Sequence, residues 1–259
     1  PLERGVARPE PAGRRVHPEC LVASAGQLAE YSQVVVPGGL ARDLGIDAGW
    51  LASPDGVAML AGNRMPEGAE PIAQAYAGHQ FGHYVPRLGD GRAINLGQTN
   101  GWNLQLKGSG QTLYSRQGDG RAVLRSSIRE YLMSEAMHAL GIPTSRALAI
   151  ISSDEKVARE RWEKGAIVLR LAPSWIRFGS FEYFFHTDRH SELAKLADFL
   201  IRESFPELAG AEEPYLKMFA EIVRRTAELI AVANGLRALK GGRHHTPIAE
   251  DSRRTGLNS

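Results

Sequence analysis

The sequence predicts an α+β fold in which strands and helices are segregated along the chain. Three observations carry this. Residues 93–97 (AINLG) and 104–107 (LQLK) alternate apolar and polar, as half-buried strands do, across an Asn100-Gly101 turn signal. Residues 122–140 have helical spacing, and residues 146–152 and 166–171 again read as strands. Helical periods at 191–205 and 215–233 follow, so no βαβ alternation appears.

Taken in order, residues 1–36 are weakly patterned, with a frayed segment and a short helix expected at 25–31. Pro37-Gly38-Gly39 breaks the chain, and 40–50 shows mixed helical spacing interrupted by Gly45 and Gly49. Pro54-Asp55-Gly56 reads as a turn, and 57–61 as a short helix or a strand. Ile72, Ala75 and Tyr76 give 71–77 helical spacing. His79 and His83 are four apart, but flanking glycines favour a hydrogen-bonded turn over a helical metal pair. In 122–140, Leu124, Ile128, Tyr131, Leu132, Ala136 and Leu140 fall on one face, and Gly141 and Pro143 end the helix. The run DEKVARERWEKG reads as a charged turn between strands, and 175–185 is rich in aromatics. After Ala233 the periodicity is lost, and nothing there would fix His244-His245 as metal ligands.

At 259 residues and 28.2 kDa the chain has room for one large domain or two small ones. A hydrophobic share of 43% and a charged share of 23% suit a globular protein. The single cysteine, Cys20, excludes an intrachain disulfide and a multi-cysteine zinc site and is compatible with a reducing cytosol. No apolar run approaches the ~20 residues of a membrane span, and the first residues lack a signal peptide's apolar core. From Arg237 onward lie five of the 31 Lys and Arg but two of the 29 Asp and Glu, so the body before it carries one more acid than base. The basic pI is a property of the tail and gives no ground for a nucleic-acid-binding face.

The tetrapeptide Gly-Asp-Gly-Arg occurs at Gly89–Arg92 and again at Gly118–Arg121. Glycines let backbone N–H groups approach a phosphate. Asp119 and Gly120 lie at the head of the long helix, where anions are favoured, though Asp119 serves equally as an N-cap. Lys107 sits at a strand end and Glu130 in the middle of the helix; a lysine–glutamate pair of this kind positions nucleotide phosphates in protein kinases. The competing reading is hairpin glycines and a solvated salt bridge. No GxxxxGK[ST] loop is present. Arg170 interrupts the apolar strand AIVLRLA, where it either faces solvent or meets an anion, and Arg177 sits among aromatics in WIRFGSF.

The blocks AQAYAGHQFGHYVPRLGDGRAINLGQ and LQLKGSGQTLYSRQGDGRAVLRSSIREYLMSEAMHALGIPTSRALAI closely resemble the selenoprotein O / YdiU family, over about 40–231. The resemblance implies a pseudokinase-like, protein-kinase-like fold: a weakly ordered segment at 1–36, an N-lobe-like nucleotide-binding part at 37–185 with an antiparallel sheet and an αC-like helix, the first helices of an incomplete C-lobe at 186–233, and a divergent, disordered tail at 234–259. It implies a protein adenylyltransferase that transfers AMP from ATP to Ser, Thr or Tyr hydroxyls of proteins, with Mg²⁺ or Mn²⁺, in a monomeric, bacterial-type cytoplasmic protein. Carried over by motif, Gly89, Gly91 and Arg92 correspond to the glycine-rich nucleotide loop, and Lys107 to the phosphate-binding lysine with Glu130 as its ion-pair partner. Asp119 and Gly120 correspond to nucleotide contacts, and Arg170 and Arg177 to the arginines that hold the phosphates of a flipped ATP. The family's HGVMNTDN-like and DYGPFGF-like segments, which carry the catalytic base and the metal-binding Asn and Asp, have no counterpart in these residues. The expectation is therefore a truncated or frame-shifted member, inactive or impaired, or a nucleotide- or partner-binding remnant, with exposed apolar faces on its last two helices.

Overall fold

The computed structural model describes residues 21–22, 31–35, 38–65, 69, 71–80 and 82–239. They build a mixed α and β fold on an eight-stranded antiparallel sheet. Along the sheet run β1 (Leu21–Val22), β3 (Ile72–Ala73), β6 (Ala93–Thr99), β7 (Trp102–Lys107), β10 (Trp162–Ala172), β9 (Arg146–Ala158) and β2 (Tyr31–Val35), and β8 (Ala122–Val123) also pairs with β10. A separate hairpin joins β4 (Gly78–Gln80) to β5 (His83–Val85).

Strand alternation decides what each face carries. Ile94, Leu106, Leu169 and Leu171 point to one face, into the main core. There they meet Leu40, Leu44 and Leu51 from α1 (Gly38–Asp43) and α2 (Ala48–Leu51), and Leu60 from α3 (Pro54–Leu60). Tyr183 and Phe184 of α5 (Phe178–His186) and Leu196 of α6 (His190–Ser204) close the same core. The opposite face sets Asn95, Gln105 and Arg170 side by side in register on β6, β7 and β10, with Lys107 two residues beyond Gln105. A polar row in the middle of a sheet must be covered by partners of its own.

The cover is α4 (Leu124–Ala139). Its apolar stripe is mostly turned outward: Ile128, Leu132 and Leu140 are 43%, 58% and 62% exposed. Ser127 and Ser134 are buried, and Leu124 and Tyr131 pack on Ala147, Ile150 and Val168. Residues 127, 130, 131 and 134 form one helical face. Two serines on that face let the helix approach closely, which brings Glu130 over the polar row.

Several local expectations are corrected. Residues 71–77 are not helical: β3 covers Ile72–Ala73, and Ala75, Tyr76 and Ala77 are buried one after another in irregular backbone. Pro54-Asp55-Gly56 opens α3, with Pro54 in the first turn and the Ser53 hydroxyl accepting the Gly56 N–H at 3.2 Å. The charged run 154–165 is largely strand, because β9 and β10 continue past the core and pair Lys164 with Asp154 at 3.0 Å. The helix expected at 25–31 falls mainly outside the described residues, and Tyr31 itself opens β2.

His79 and His83 lie on the β4–β5 hairpin. α7 (Pro214–Leu239) runs six residues past the expected end at Ala233; the rest of the expected tail, with His244 and His245, lies outside the described residues. α7 packs Met218 on Ala197, Leu200, Ile201 and Phe205 but exposes Leu216, Phe219, Val223 and Ile230, whereas the apolar face of α6 is buried. Among the described residues no helix is long and apolar enough to cross a membrane.

Candidate functional site

The site is built on the polar row and the two loops at its end. Lys107, the last residue of β7, points at α4, and its Nζ lies 2.7 Å from Glu130 Oε2. Arg170 reaches the other oxygen, its Nη1 3.1 Å from Glu130 Oε1. Arg170 Nη2 also donates to Gln105 Oε1, and Gln105 Nε2 donates to Asn95 Oδ1 at 2.9 Å. The Arg170 guanidinium lies over the Trp175 ring, 4.8 Å from its centroid.

Burial alone would raise the Glu130 carboxyl, but the charges of Lys107 and Arg170 outweigh it and hold Glu130 below the ordinary carboxylate value. Burial, reinforced by the Arg170 charge, pulls the Lys107 ammonium from 10.5 down to about 8, with Glu130 opposing. The lysine–glutamate pair is thus no solvated salt bridge: its two side chains are 6% and 15% exposed.

Arg177 belongs to the same patch. Its Nη2 lies 3.1 Å from Asp90 Oδ1, and its guanidinium lies over Tyr76, 4.5 Å from the ring centroid. Asp90 is the acid of the first Gly-Asp-Gly-Arg turn and is 2% exposed. Burial pushes its carboxyl up, against the Arg177 charge and the Gln74 N–H. The Tyr76 hydroxyl is pushed up to about 12 by burial and by the Asp90 charge. Among these residues three cations, Lys107, Arg170 and Arg177, share two carboxylates, Glu130 and Asp90. Arg92 brings a fourth positive charge; burial lowers its pKa, and Glu130 and Asp119 attract it. A buried cluster richer in cations than in anions is a seat for an anion.

The glycines are fixed by the chain itself. Gly89 has φ +63, and a Cβ there would lie 2.2 Å from the Tyr114 ring. Its N–H donates to the Tyr76 carbonyl, so this group is engaged within the chain. Gly120 has φ +68, and a Cβ would lie 2.1 Å from the Gly110 carbonyl oxygen. The 109–115 segment folds back on the first turn, with Thr112 and Ser115 donating to the Asp90 and Gly91 carbonyls.

Asp119 is not the helix cap. α4 begins at Leu124 with Val123 at the cap position, and β8 intervenes. Asp119 instead accepts the Arg121 N–H at 2.9 Å and pairs with Arg159 at 2.6 Å. It lines a cavity of about 460 Å³ with Gly110, Gln111, Arg121 and Glu155. The structure thus gathers Lys107, Glu130, Arg170, Arg92 and Arg177, and sets Asp119 and Gly120 at the adjoining second turn. Sequence reasoning missed Asp90, Gln105 and Tyr76. Gln105 was findable, since it shares strand parity with Lys107.

The comparisons with known proteins can be set against this geometry. Residues 24–236 match the family model described as "Protein adenylyltransferase SelO". The chain belongs to the SelO family. A protein named protein nucleotidyltransferase YdiU from Thiobacillus denitrificans is 55% identical over 193 residues, covering 73% of this chain and 40% of that protein. Its namesake in Thioalkalivibrio sulfidiphilus is 59% identical over 169 residues, covering 63% of this chain and 34% of that one. The Myxococcus xanthus relative is 55% identical over 183 residues, covering 69% and 38%. The chain therefore spans 34–40% of the length of these curated relatives. The family model and these relatives are named for adenylyl or nucleotidyl transfer.

Proposed function

We propose that this chain is the nucleotide-gripping part of a protein adenylyltransferase, with the terminal phosphates of ATP seated on Lys107, Arg92, Arg170 and Arg177. The single observation that carries this reading is the cation-rich cluster at the end of the polar row, where Lys107, Arg170 and Arg177 share two carboxylates. Arginines held by acids and aromatic faces present fixed N–H groups, which suits bidentate phosphate contacts. The cavity of about 460 Å³ lined by Gly110, Gln111, Asp119 and Arg121 is of a size that takes a nucleoside. On this reading the sheet and α4 form a kinase-like N-lobe with α4 in the αC position, and 186–233 begins a C-lobe.

Clamping the terminal phosphates deep in the site leaves the α-phosphorus toward the opening. A Ser, Thr or Tyr hydroxyl oxygen of a protein then attacks it, the bond from the α-phosphorus to the α,β-bridging oxygen breaks, pyrophosphate leaves, and the hydroxyl proton passes to solvent or to the departing pyrophosphate. Among the described residues no group of three or more His, Cys, Asp or Glu gathers to cage the family's Mg²⁺ or Mn²⁺, and Glu130 and Asp90 already hold cations. A second reading for these 259 residues taken alone is that they bind nucleotide with little or no transfer, since both carboxylates at the seat are engaged by Lys107, Arg170 and Arg177.

Incubation with labelled ATP and Mn²⁺, beside calorimetry with a non-hydrolysable ATP analogue, separates the two. Binding without label incorporation supports the second reading. Incorporation lost in Lys107→Ala supports the first. Absence of both rejects the nucleotide assignment.

A further inference from the structure

Asp90, the acid between the first two glycines, holds Arg177 from an unusual position in the fold. Turn acids ordinarily face water, yet the Asp90 side chain is 1% exposed. Both of its oxygens are used: Oδ1 faces Arg177 Nη2 at 3.1 Å, and Oδ2 accepts the Gln74 N–H at 3.1 Å. Arg177 is gripped from two further directions. Its Nη1 donates to the Trp175 carbonyl at 2.9 Å, and the Tyr76 ring lies against the guanidinium. Among the described residues two of the five guanidinium N–H groups are committed in this way, and the others can meet an anion. The arginine side chain is 28% exposed where the aspartate is 1%, so an incoming ligand meets the guanidinium with the acid behind it.

The second Gly-Asp-Gly-Arg copy shows that the tetrapeptide alone does not dictate this. Its acid, Asp119, has a side chain 43% exposed and pairs with the partly exposed Arg159. Arg170 repeats the Arg177 pattern at greater depth, held by Glu130 and stacked on Trp175. Trp175 joins the two, offering its ring to Arg170 and its carbonyl to Arg177.

We propose that Asp90 is a positioning residue: it anchors the Arg177 guanidinium to the first glycine turn, so that the remaining N–H groups face the terminal phosphates of a bound nucleoside triphosphate. This rests on the nucleotide reading above. It ties the turn, the segment after β10 and the polyphosphate seat into one rigid unit.

The test uses the full chain and a non-hydrolysable ATP analogue, with affinity measured by calorimetry. Asp90→Asn keeps the shape and removes the charge. It should weaken binding about ten- to a hundredfold, the usual cost of misplacing a charged ligand-holding group through its supporting partner. In an Arg177→Lys background the same change should cost little more, because the group it positions is already altered. A merely structural role would weaken binding equally in both backgrounds, and that outcome overturns the proposal. Unchanged or tighter binding by Asp90→Asn overturns it too. Should Asp90→Asn not fold by circular dichroism, Tyr76→Leu withdraws the stacking face and must show the same background-dependent loss. Absence of binding by the unsubstituted chain would instead reject the nucleotide reading, and this proposal with it.

Discussion

Lys107 offers a test that needs no ligand. Its side chain is 6% exposed and lies 2.7 Å from Glu130, yet burial and the Arg170 charge bring its pKa to about 8 from the ordinary 10.5. Between those values the unfolded chain keeps a proton that the folded chain has released. Stability therefore rises with pH across that window. The gap of about 2.5 units corresponds to roughly 3 kcal/mol gained between pH 8 and 10.5. Lys107→Met keeps the side-chain length and removes the proton. Urea unfolding of both chains from pH 7 to 10.5 isolates the effect, because titrations not coupled to Lys107 cancel in the difference. The wild-type chain should gain about 3 kcal/mol on the methionine variant over the window. A saturating ATP analogue adds negative charge beside the ammonium, raises its pKa and should flatten the rise. Parallel profiles would refute the reasoning, and a relative loss of wild-type stability with pH would mean that Glu130 dominates over burial.

Glu130→Gln leaves Lys107 and Arg170 without their shared carboxylate and should lower unfolding free energy by about 3 kcal/mol in urea. Gly89→Ala forces a Cβ into the Tyr114 ring at φ +63 and should cost at least about 2 kcal/mol, read by thermal unfolding. Asp119→Asn, by contrast, breaks a partly exposed pair with Arg159 and should change stability by less than about 1 kcal/mol in the same assay. Phe219→Glu with Val223→Glu, on the exposed face of α7, should reduce light scattering on concentration without lowering the melting temperature.

Much of the site was legible because strand and helix periods place side chains. Gln105 and Lys107 share a parity on β7, and Arg170 breaks an apolar run in register with Gln105, so the polar face could be read from alternation. The α4 stripe misled because hydrophobicity does not say which face meets the sheet: Ser127, Glu130 and Ser134 turn inward for the sake of the ion pairs, and Ile128 and Leu132 turn outward. Residues 71–77 misled because Ile72, Ala75 and Tyr76 fit an i, i+3, i+4 spacing, and periodicity cannot separate helix from extended chain over so short a run. Asp90 and Arg177 lie 87 residues apart, and no local pattern announces a contact of that separation. The glycines were visible as turns, but their cause lay in the Tyr114 and Gly110 packing, which only the fold supplies.

The central claim is that Lys107, Arg92, Arg170 and Arg177 hold the terminal phosphates of a nucleotide. Calorimetric titration of the full chain with pyrophosphate, ATP analogue and AMP at pH 7 tests it most directly. Pyrophosphate and the analogue should bind, and AMP should bind at least about tenfold more weakly, since it lacks the groups the cluster recognises. AMP binding as tight as the analogue, with no binding of pyrophosphate, would contradict the account.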